Sequence, residues 1–373
     1  MRLLFLQQQP CMRALKYAAG LRTAFPSISI GFAYQGKTLS DWYGSGDELF
    51  DRWWDLGSDP IGSLRSVAGE FRPDVIHSHN LPDSLTVTAL ELFAGRVPVI
   101  HDVHDLQSLR HTPHENGFPE PREPLALERI AVEGCSALVT VSEELLDEIR
   151  ARYRVTAPTL VLANYALRRD LPSELPPAER RNGRVPRLVY QGTLSTNGGH
   201  YDLRGIVRAL VAEGASLDIY PSREVAAYAE LAAELPGLRV HATLPPSRLL
   251  AALPEYDFGW AGFNSALNRA HLDTCLPNKA YEYVGCGLPV LTLGHRALAR
   301  LVTERNLGLS LVSFDDLIGQ LSAVDIVELR RRIAAIRLEL TVETNIHRLA
   351  ELYETVSQIT RNVLDCFLEE NPS

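Results

Sequence analysis

The stretch Leu-Pro-Asn-Lys-Ala-Tyr-Glu-Tyr-Val-Gly-Cys-Gly-Leu-Pro-Val, residues 276–290, carries the signals of a helix followed by a strand. Pro277 suits the start of a helix, and Gly285 and Gly287 are typical of its end. Residues 289–293 are mostly apolar and indicate a buried strand. A helix that begins at a sheet edge leaves backbone N–H groups free to meet an anion, so this edge is a candidate anion site.

Lys279 and Glu282 lie three residues apart in this helix and should share one face. Lysine is rare in the sequence, where only Lys16 and Lys37 accompany Lys279. An ammonium beside a helix start suits a phosphate, and a carboxylate one turn later can accept hydrogen bonds from ribose hydroxyls. The same spacing also fits a surface ion pair, and the local pattern does not decide between the two.

Length and composition favour a two-domain globular protein. The chain has 373 residues, of which 46% are hydrophobic and 22% charged. A net charge of −9, without a basic run, weighs against nucleic acid as a partner. No apolar run is long enough to span a bilayer, and three glutamines at 7–9 interrupt the N-terminal apolar segment too early for a signal peptide, so we expect a cytoplasmic location. The scattered cysteines fit neither a zinc site nor a disulfide scaffold.

Short Val/Ile/Leu runs alternate with helical segments in two successive series, which predicts parallel strands joined by crossovers. The first series fills residues 1–166 and is predicted to be helical between the strand at 27–34 and about residue 70. A polar, proline-rich segment at 167–186 is the predicted linker. The second series fills residues 187–344 and is followed by a helical segment at 345–373. The predicted fold is α/β, with two Rossmann-like, doubly wound parallel sheets whose carboxyl ends bind the ligand.

Two predicted strands of the first domain end in histidines. His-Asp-Val-His-Asp, residues 101–105, closes one strand and opens a loop of about 20 residues, which is typical of an active-site flap. This group is therefore a candidate substrate site; a polar surface turn is the alternative, and metal is disfavoured because no third ligand follows at diagnostic spacing. Asp-Val-Ile-His-Ser-His-Asn, residues 74–80, directs His79 and Asn80 into the next loop, although a purely structural histidine would give the same pattern.

The second domain contributes two more candidate contacts at strand ends. Gly192 and Thr193 follow the strand Leu-Val-Tyr-Gln, where a glycine permits close approach of a diphosphate to the backbone. Arg223 follows a later strand, at the predicted start of a helix at 223–235, and is a second candidate phosphate contact. A structural turn and a solvated helix-end charge are the respective alternatives.

These motifs together resemble the retaining, nucleotide-sugar-dependent glycosyltransferases of the GT-B fold, similar to glycosyltransferase family 4. The donor-site helix of that group has a comparable Lys-x-x-Glu-Tyr before a Gly-x-Pro-Val turn, as at 279–290, and the resemblance extends over most of the chain. It implies two Rossmann-like domains facing a central cleft, a nucleoside diphosphate sugar as donor, a hydroxyl acceptor, and no required cofactor or metal. It also implies that the helix at about 345–368 crosses back onto the first domain, whereas packing on its own domain is the alternative.

The resemblance assigns roles to individual residues. His104 and Lys279 would act in catalysis, with His104 contacting the transferring sugar. The implied donor-binding residues are Gly192, Thr193, Arg223, Thr274, Asn278, Lys279 and Glu282, and the implied acceptor-side residues are His79, Asn80 and Asp105.

The sequence also departs from the family pattern. The usual Gly-Gly of the first strand-to-helix loop is Gln-Gln-Pro-Cys at 8–11, and no cation lies between Thr193 and His200. The first carboxylate of the common Glu-x7-Glu motif falls on Thr274, which bears on the choice of sugar. A nucleotide-sugar epimerase and a non-catalytic nucleotide-sugar-binding subunit are the alternative functions. Without a basic amphipathic surface, a lipid-linked acceptor is the remaining route to membrane contact. The pattern identifies neither the base, the sugar, the acceptor nor the oligomeric state.

Overall fold

The computed structural model describes residues 1–110, 122–177 and 185–370, and the chain divides into two units. The first unit comprises residues 1–163 and a helix that begins at Val342, and the second comprises residues 164–341. Each unit contains one parallel sheet with helices, so the predicted α/β fold with two doubly wound sheets is confirmed. Among the described residues, no helix combines the length and apolar character that a membrane span requires.

The first unit is built on a seven-stranded parallel sheet with the order β3-β2-β1-β4-β5-β6-β7. The chain builds outward from β1 to β3 on one side and then returns to place β4 on the other, so the direction switches between β1 and β4. Ligands of doubly wound sheets bind at the carboxyl ends of strands that flank such a switch. The strands are β1 (Arg2–Leu6), β2 (Ser29–Tyr34), β3 (Arg52–Asp55), β4 (Val75–His79), β5 (Val99–Val103), β6 (Ala137–Thr140) and β7 (Thr159–Val161).

Helices cover this sheet and bury its apolar strands. The α3–α4 side packs on Leu4, Leu6 and Ile76, which are fully buried. The helices up to β7 are α1 (Met12–Ala24), α2 (Leu39–Tyr43), α3 (Pro60–Phe71), α4 (Ser84–Phe93), α5 (Arg122–Gly134) and α6 (Glu143–Arg152).

The second unit repeats the design with six parallel strands in the order β10-β9-β8-β11-β12-β13, so its switch lies between β8 and β11. The strands are β8 (Arg187–Gly192), β9 (Ser216–Pro221), β10 (Leu238–Val240), β11 (Phe258–Trp260), β12 (Val290–Leu293) and β13 (Gly308–Leu311). The helices are α7 (Arg204–Ala212), α8 (Ala226–Glu234), α9 (Pro246–Ala252), α10 (Arg269–Leu272), α11 (Asn278–Gly285), α12 (Arg296–Glu304), α13 (Leu317–Ser322) and α14 (Ile326–Ile336).

The helix α15 (Val342–Glu370) packs in the first unit although it follows the second in sequence. It lies against α1, where Gly20 leaves room for Val342 and Ile346. Tyr353, on the buried face of α15, is fully enclosed. The first unit is therefore assembled from two distant parts of the chain.

Three sequence-based details differ from the structure. The region predicted as helical before residue 70 contains the edge strand β3, and α8 begins at Ala226 rather than at residue 223. Part of the segment predicted as a linker packs on the second unit, because the Arg337 guanidinium donates hydrogen bonds to the carbonyls of Pro172 and Ser173. Residues 178–184 of that segment, and residues 111–121 of the predicted flap, lie outside the described residues.

Candidate functional site

The candidate site of the second unit lies at the switch between β8 and β11, where α11 begins. Tyr283 fixes α11 to both strands: its hydroxyl accepts a hydrogen bond from the Gln191 backbone N–H at 3.1 Å and donates one to the Trp260 carbonyl at 3.2 Å. Gly259 of β11 lies directly beneath the Tyr283 ring, and a methyl group there would overlap it. The first turn of α11 is thereby held at the carboxyl edge of the sheet.

Lys279 is buried at this edge rather than paired on the surface. Its side chain is 8% exposed, and its Nζ donates a hydrogen bond to the Tyr190 hydroxyl at 3.0 Å. Nζ also lies 4.2, 5.9 and 5.5 Å from the ring centroids of Tyr190, Tyr201 and Phe263. Burial lowers the pKa of Lys279 to about 7, although the nearby Glu282 carboxylate partly offsets this. The amine is therefore poised to gain or lose a proton near neutral pH.

Glu282 lies one turn after Lys279 on α11 and contacts the neighbouring residue of β8. The Gln191 side-chain amide donates a hydrogen bond to a Glu282 carboxylate oxygen at 2.5 Å. Gln191 itself is buried, whereas Glu282 is partly exposed. The two α11 side chains singled out by the sequence thus meet two successive residues at the end of β8.

The turn after β8 leaves space beside the Lys279 ammonium. Gly192 has φ +124°, in the region that favours glycine, and a Cβ there would lie 3.4 Å from Lys279 Cε. The Thr193 carbonyl accepts a hydrogen bond from the Tyr190 hydroxyl at 2.6 Å. The loop after β9 is tied to the same turn, because the Ser222 backbone N–H donates to the Gly192 carbonyl at 2.9 Å. Arg223 follows Ser222 in this loop and is exposed, three residues before α8 begins rather than at its start.

The remaining predicted donor residues lie on the approach to α11. Thr274 is buried, and its hydroxyl donates a hydrogen bond to the His271 carbonyl at 2.7 Å, which closes the turn after α10. Asn278 is the first residue of α11 and is partly buried. The Thr274 hydroxyl is thus engaged within its own turn, where the resemblance would place a sugar-contacting carboxylate.

In the first unit, Asn80 joins the ends of β4 and β5. Its side-chain oxygen accepts the His104 backbone N–H at 3.1 Å, and its amide donates to the Asp105 carbonyl. Asn80 is fully buried, whereas His104 and Asp105 are partly exposed. Burial lowers the pKa of His104, although Asp105 acts in the opposite direction. The His104 ring is therefore neutral at physiological pH, and its Nδ1 has no hydrogen-bond partner among the described residues.

His79 does not project into the next loop as predicted: it is the last residue of β4 and belongs to a buried polar network behind this strand edge. Its ring stacks on His77 with centroids 4.5 Å apart, and the His77 Nε2 lies 3.2 Å from the Asp102 carboxylate. Arg13 Nε contacts both carboxylate oxygens of Asp102, at 2.9 and 3.1 Å. Burial alone would raise the pKa of the Asp102 carboxyl, but the Arg13 charge and the His77 hydrogen bond hold it well below its usual range. The His77 Nδ1 is 2.6 Å from the Tyr353 hydroxyl of α15, so the network also holds that helix.

The same network contains a grouping with metal-ligand chemistry. His77, His79 and Asp102 bring one ligand atom each within 4.8 Å of one another. Both oxygens of Asp102 are already engaged by the Arg13 guanidinium, whose charge opposes a cation at this position. The geometry favours a structural ion-pair network over a metal centre.

Four residues of these two networks were not predicted from the sequence: Tyr190, Gln191, Arg13 and Asp102. A glutamine at the end of an otherwise apolar strand, and an aspartate inside Val-Ile-His-Asp-Val, are the local signals that could have indicated them. Polar residues on buried strands need partners, and here the partners are distant in sequence. Their pairing could not be read from spacing alone.

Comparisons with known proteins agree with this architecture. Residues 48–164 match the family model described as Glycosyltransferase Family 4. Sucrose-phosphate synthase from Thermosynechococcus elongatus has a similar structure, with a TM-score of 0.69 at 12% identity over 95% of this chain and 99% of that one. A glycosyltransferase from Rickettsia africae gives 0.67 at 10% identity over 95% and 98%. Anabaena HepE in complex with UDP-glucose gives 0.59 at 16% identity over 98% and 100%. No curated protein sequence matches the chain.

The sequence identities are low, so these structures establish the fold, while the family match covers part of the first unit. The fold prediction is confirmed over nearly the whole chain. The chain is a GT-B protein that resembles glycosyltransferases of family 4.

Proposed function

We propose that this protein is a glycosyltransferase that moves a sugar from a nucleoside diphosphate sugar to a hydroxyl acceptor, with retention at the anomeric carbon. The observation that carries the proposal is the buried Lys279, held against Gly192 at the carboxyl edge of the sheet with Glu282 one turn further on. A buried lysine beside a helix N-terminus and a glycine turn is suited to a diphosphate. Anabaena HepE, which has a similar fold, holds UDP-glucose and UDP.

Each donor-side residue has a part in this proposal. Lys279 and the first-turn N–H groups of α11, which begins at Asn278, contact the diphosphate, and Glu282 accepts hydrogen bonds from the ribose. The backbone at Gly192 and Thr193 approaches the phosphates, and the exposed Arg223 on the adjacent loop supplies a second cation. Thr274 lies where the resemblance places a sugar-contacting carboxylate, and because its hydroxyl is engaged within its own turn, the missing carboxylate limits which sugars are accepted.

The chemistry follows from charge stabilisation. The bond between the anomeric carbon and the phosphate oxygen breaks, the acceptor oxygen bonds to the same face, and the acceptor proton passes to the departing phosphate. The developing negative charge is met by Lys279 and Arg223, so the proposal requires no metal ion. His104 contacts the transferring sugar and Asp105 the acceptor, while the buried His79 and Asn80 support the acceptor side from behind the strand edge. The buried Asn80 contributes there by holding the His104 backbone.

A panel of nucleoside diphosphate sugars, differing in base and sugar, tests the proposal with three separate measurements. We expect heat stabilisation by one donor class and, with an acceptor mixture of simple glycosides, release of the nucleoside diphosphate and a product of retained configuration. Epimerised donor without transfer would establish the epimerase alternative. Stabilisation without any turnover across glycoside and lipid-linked acceptors would establish a binding subunit. No stabilisation by any nucleotide sugar would overturn the assignment of the donor site.

Glu282→Gln should weaken donor binding by about 1 to 3 kcal/mol, because an amide is a poorer acceptor for ribose hydroxyls than a carboxylate. Calorimetric titration of the donor measures this change, and Glu234→Gln, an exposed position on α8 in the same unit, is the matched control. Unchanged donor affinity in Glu282→Gln would remove Glu282 from the ribose site.

His104→Ala should lower turnover while leaving donor affinity nearly unchanged, because this imidazole is assigned to the transferring sugar and not to the nucleotide. A loss of about a hundredfold is consistent with one positioned acid–base or orienting group. Steady-state rates and donor titrations measure the two effects separately, with the exposed His347→Ala on α15 as control. Wild-type turnover in the variant would restrict His104 to a structural role.

A further inference from the structure

Three successive residues at the end of β8 each meet the donor-facing side of α11. Tyr190 is hydrogen-bonded to Lys279, Gln191 is hydrogen-bonded to Glu282, and Gly192 provides the space beside Lys279. We propose that Tyr190 and Gln191 are positioning residues that hold Lys279 and Glu282 in their donor-binding geometry before the donor arrives. This inference rests on the proposed function and adds two positioning residues to it.

Tyr190 fixes the lysine through one hydroxyl with two partners. The hydroxyl accepts from Lys279 Nζ at 3.0 Å and donates to the Thr193 carbonyl at 2.6 Å. Burial raises the pKa of the Tyr190 phenol, so the hydroxyl keeps its proton and its donor role is constant. The Tyr190 hydroxyl therefore fixes the position of Lys279 Nζ relative to the turn at 192–193, where the diphosphate is proposed to approach.

Gln191 fixes the carboxylate in the same way. Its amide nitrogen donates to Glu282, while its backbone N–H donates to the Tyr283 hydroxyl, so strand and helix are joined at two points. The Gln191 amide oxygen is buried and has no hydrogen-bond partner among the described residues. An acceptor oxygen left beside the proposed ribose carboxylate is suited to a second ribose hydroxyl.

Preorganisation explains why these contacts matter for binding. Lysine and glutamate lose considerable rotamer freedom when they are fixed, and this cost is avoided at the moment of binding if the protein has already ordered them. A strand end is a rigid support for such contacts, unlike a loop. The end of β8 therefore determines the positions of Lys279 and Glu282, the proposed phosphate and ribose contacts.

Tyr190→Phe tests the first half of the proposal, because it keeps the ring and removes only the hydroxyl. We expect donor affinity to fall about tenfold. The control is Tyr256→Phe, which removes another buried hydroxyl of the same unit, one that donates to Asp218. The two variants should have similar melting temperatures. The readout specific to positioning is the pH dependence of donor binding. Without the accepting hydroxyl the ammonium loses a stabilising partner, so the loss of binding on the alkaline side should begin at lower pH.

The groups that face Lys279 determine this pH dependence. They are Tyr190 on β8, Tyr201 before α7, Phe263 after β11 and Glu282 on its own helix. Of these, Glu282 carries a charge at neutral pH, and the aromatic rings favour the ammonium form. Tyr190→Phe keeps all of these rings and the Glu282 charge. A shift in the pH dependence of donor binding would therefore result from loss of the Tyr190 hydroxyl.

Gln191→Met tests the second half by comparing ribose analogues. We use the nucleoside diphosphate selected in the donor panel, together with its 2′-deoxy and 3′-deoxy analogues. Wild type should prefer the ribonucleotide over at least one analogue by about tenfold, and Gln191→Met should lose most of that preference. A residue that acted only in folding would weaken all three ligands equally, which would overturn the role of Gln191.

The outcomes separate this inference from the function on which it rests. If wild type binds no nucleotide sugar, the proposed function fails. If wild type binds its donor while Tyr190→Phe keeps both the wild-type affinity and the wild-type pH profile, only the positioning role of Tyr190 fails.

Discussion

Replacing Asp102 by alanine should lower the free energy of unfolding by about 3 to 5 kcal/mol, the largest stability loss that we expect from one side chain in this protein. The variant leaves the Arg13 guanidinium, which is 4% exposed, buried without the carboxylate that it contacts through both oxygens. It also removes the partner of His77, whose other ring nitrogen contacts Tyr353 on α15. We therefore expect the variant to weaken both the packing of α15 on the first unit and the polar network at the ends of β4 and β5.

Chemical denaturation of the wild type and of Asp102→Ala measures this loss. Asp74→Ala is the matched control, because Asp74 is 46% exposed and forms a 3.9 Å ion pair with Arg2 on the surface. The double variant Arg13→Met/Asp102→Leu should be more stable than Asp102→Ala, since neither charge of this pair remains buried. If Asp102→Ala lowered the free energy of unfolding no more than Asp74→Ala does, the buried Arg13 guanidinium would not need the Asp102 carboxylate as its partner.

The pH dependence of this network has a definite sign. Burial lowers the pKa of His77, His79 and His104, so unfolding allows all three to take up protons below about pH 6.5. The Asp102 carboxyl, whose pKa is also lowered, adds stability that is present above about pH 4 and is lost in stronger acid. Both effects make the first unit less stable as the pH falls.

Lys279→Ala should reduce turnover by about a hundred- to a thousandfold, equivalent to 2.7 to 4 kcal/mol, because it removes a preorganised cation at the departing phosphate. Lys279→Arg should restore only part of the rate, since the planar guanidinium cannot occupy the position of a compact ammonium enclosed by rings. Steady-state rates measure the effect, with the exposed Lys37→Ala as control. Normal turnover in Lys279→Ala, combined with a lower melting temperature, would mean that the residue serves folding alone.

The lowered pKa of Lys279 extends this prediction. The free enzyme carries the ammonium below about pH 7, so kcat/KM should decline above that pH, and Lys279→Arg should lack this decline. Between about pH 7 and the ordinary value of 10.5, the unfolded chain binds a proton that the folded chain does not. The Lys279 contribution to the unfolding free energy therefore increases with pH in this range, and Lys279→Ala should lack that increase.

Much of the fold could be predicted because parallel sheets buried on both faces leave a strong local pattern of apolar runs between helices. The strand β3 was missed because Arg-Trp-Trp-Asp, at the sheet edge, is partly exposed and has no apolar run. The start of α8 was predicted three residues too early, because Ser222 and Arg223 resemble a helix start although they belong to the loop after β9.

The residues of the candidate site likewise divide into those that the sequence predicted and those that it did not. Lys279 and Glu282 could be found because the signals of helix start, spacing and helix end lie within one short stretch. Their partners Tyr190 and Gln191 precede them by 89 and 91 residues, and only the order of strands in the folded sheet brings them together. Burial of Lys279 likewise could not be predicted, since it depends on the rings of Tyr190, Tyr201 and Phe263, which come from separate loops and strands.

The position of α15 has a consequence for synthesis of the protein on the ribosome. Domains usually fold in the order in which they are translated. Here the residues that complete the first unit, beginning at Val342, are made only after the whole second unit, which ends at Thr341. His77 therefore lacks its Tyr353 partner until the second unit has been made, although all seven strands of the first unit are translated before it. The first unit, although it begins the chain, is therefore the last to receive all of its residues.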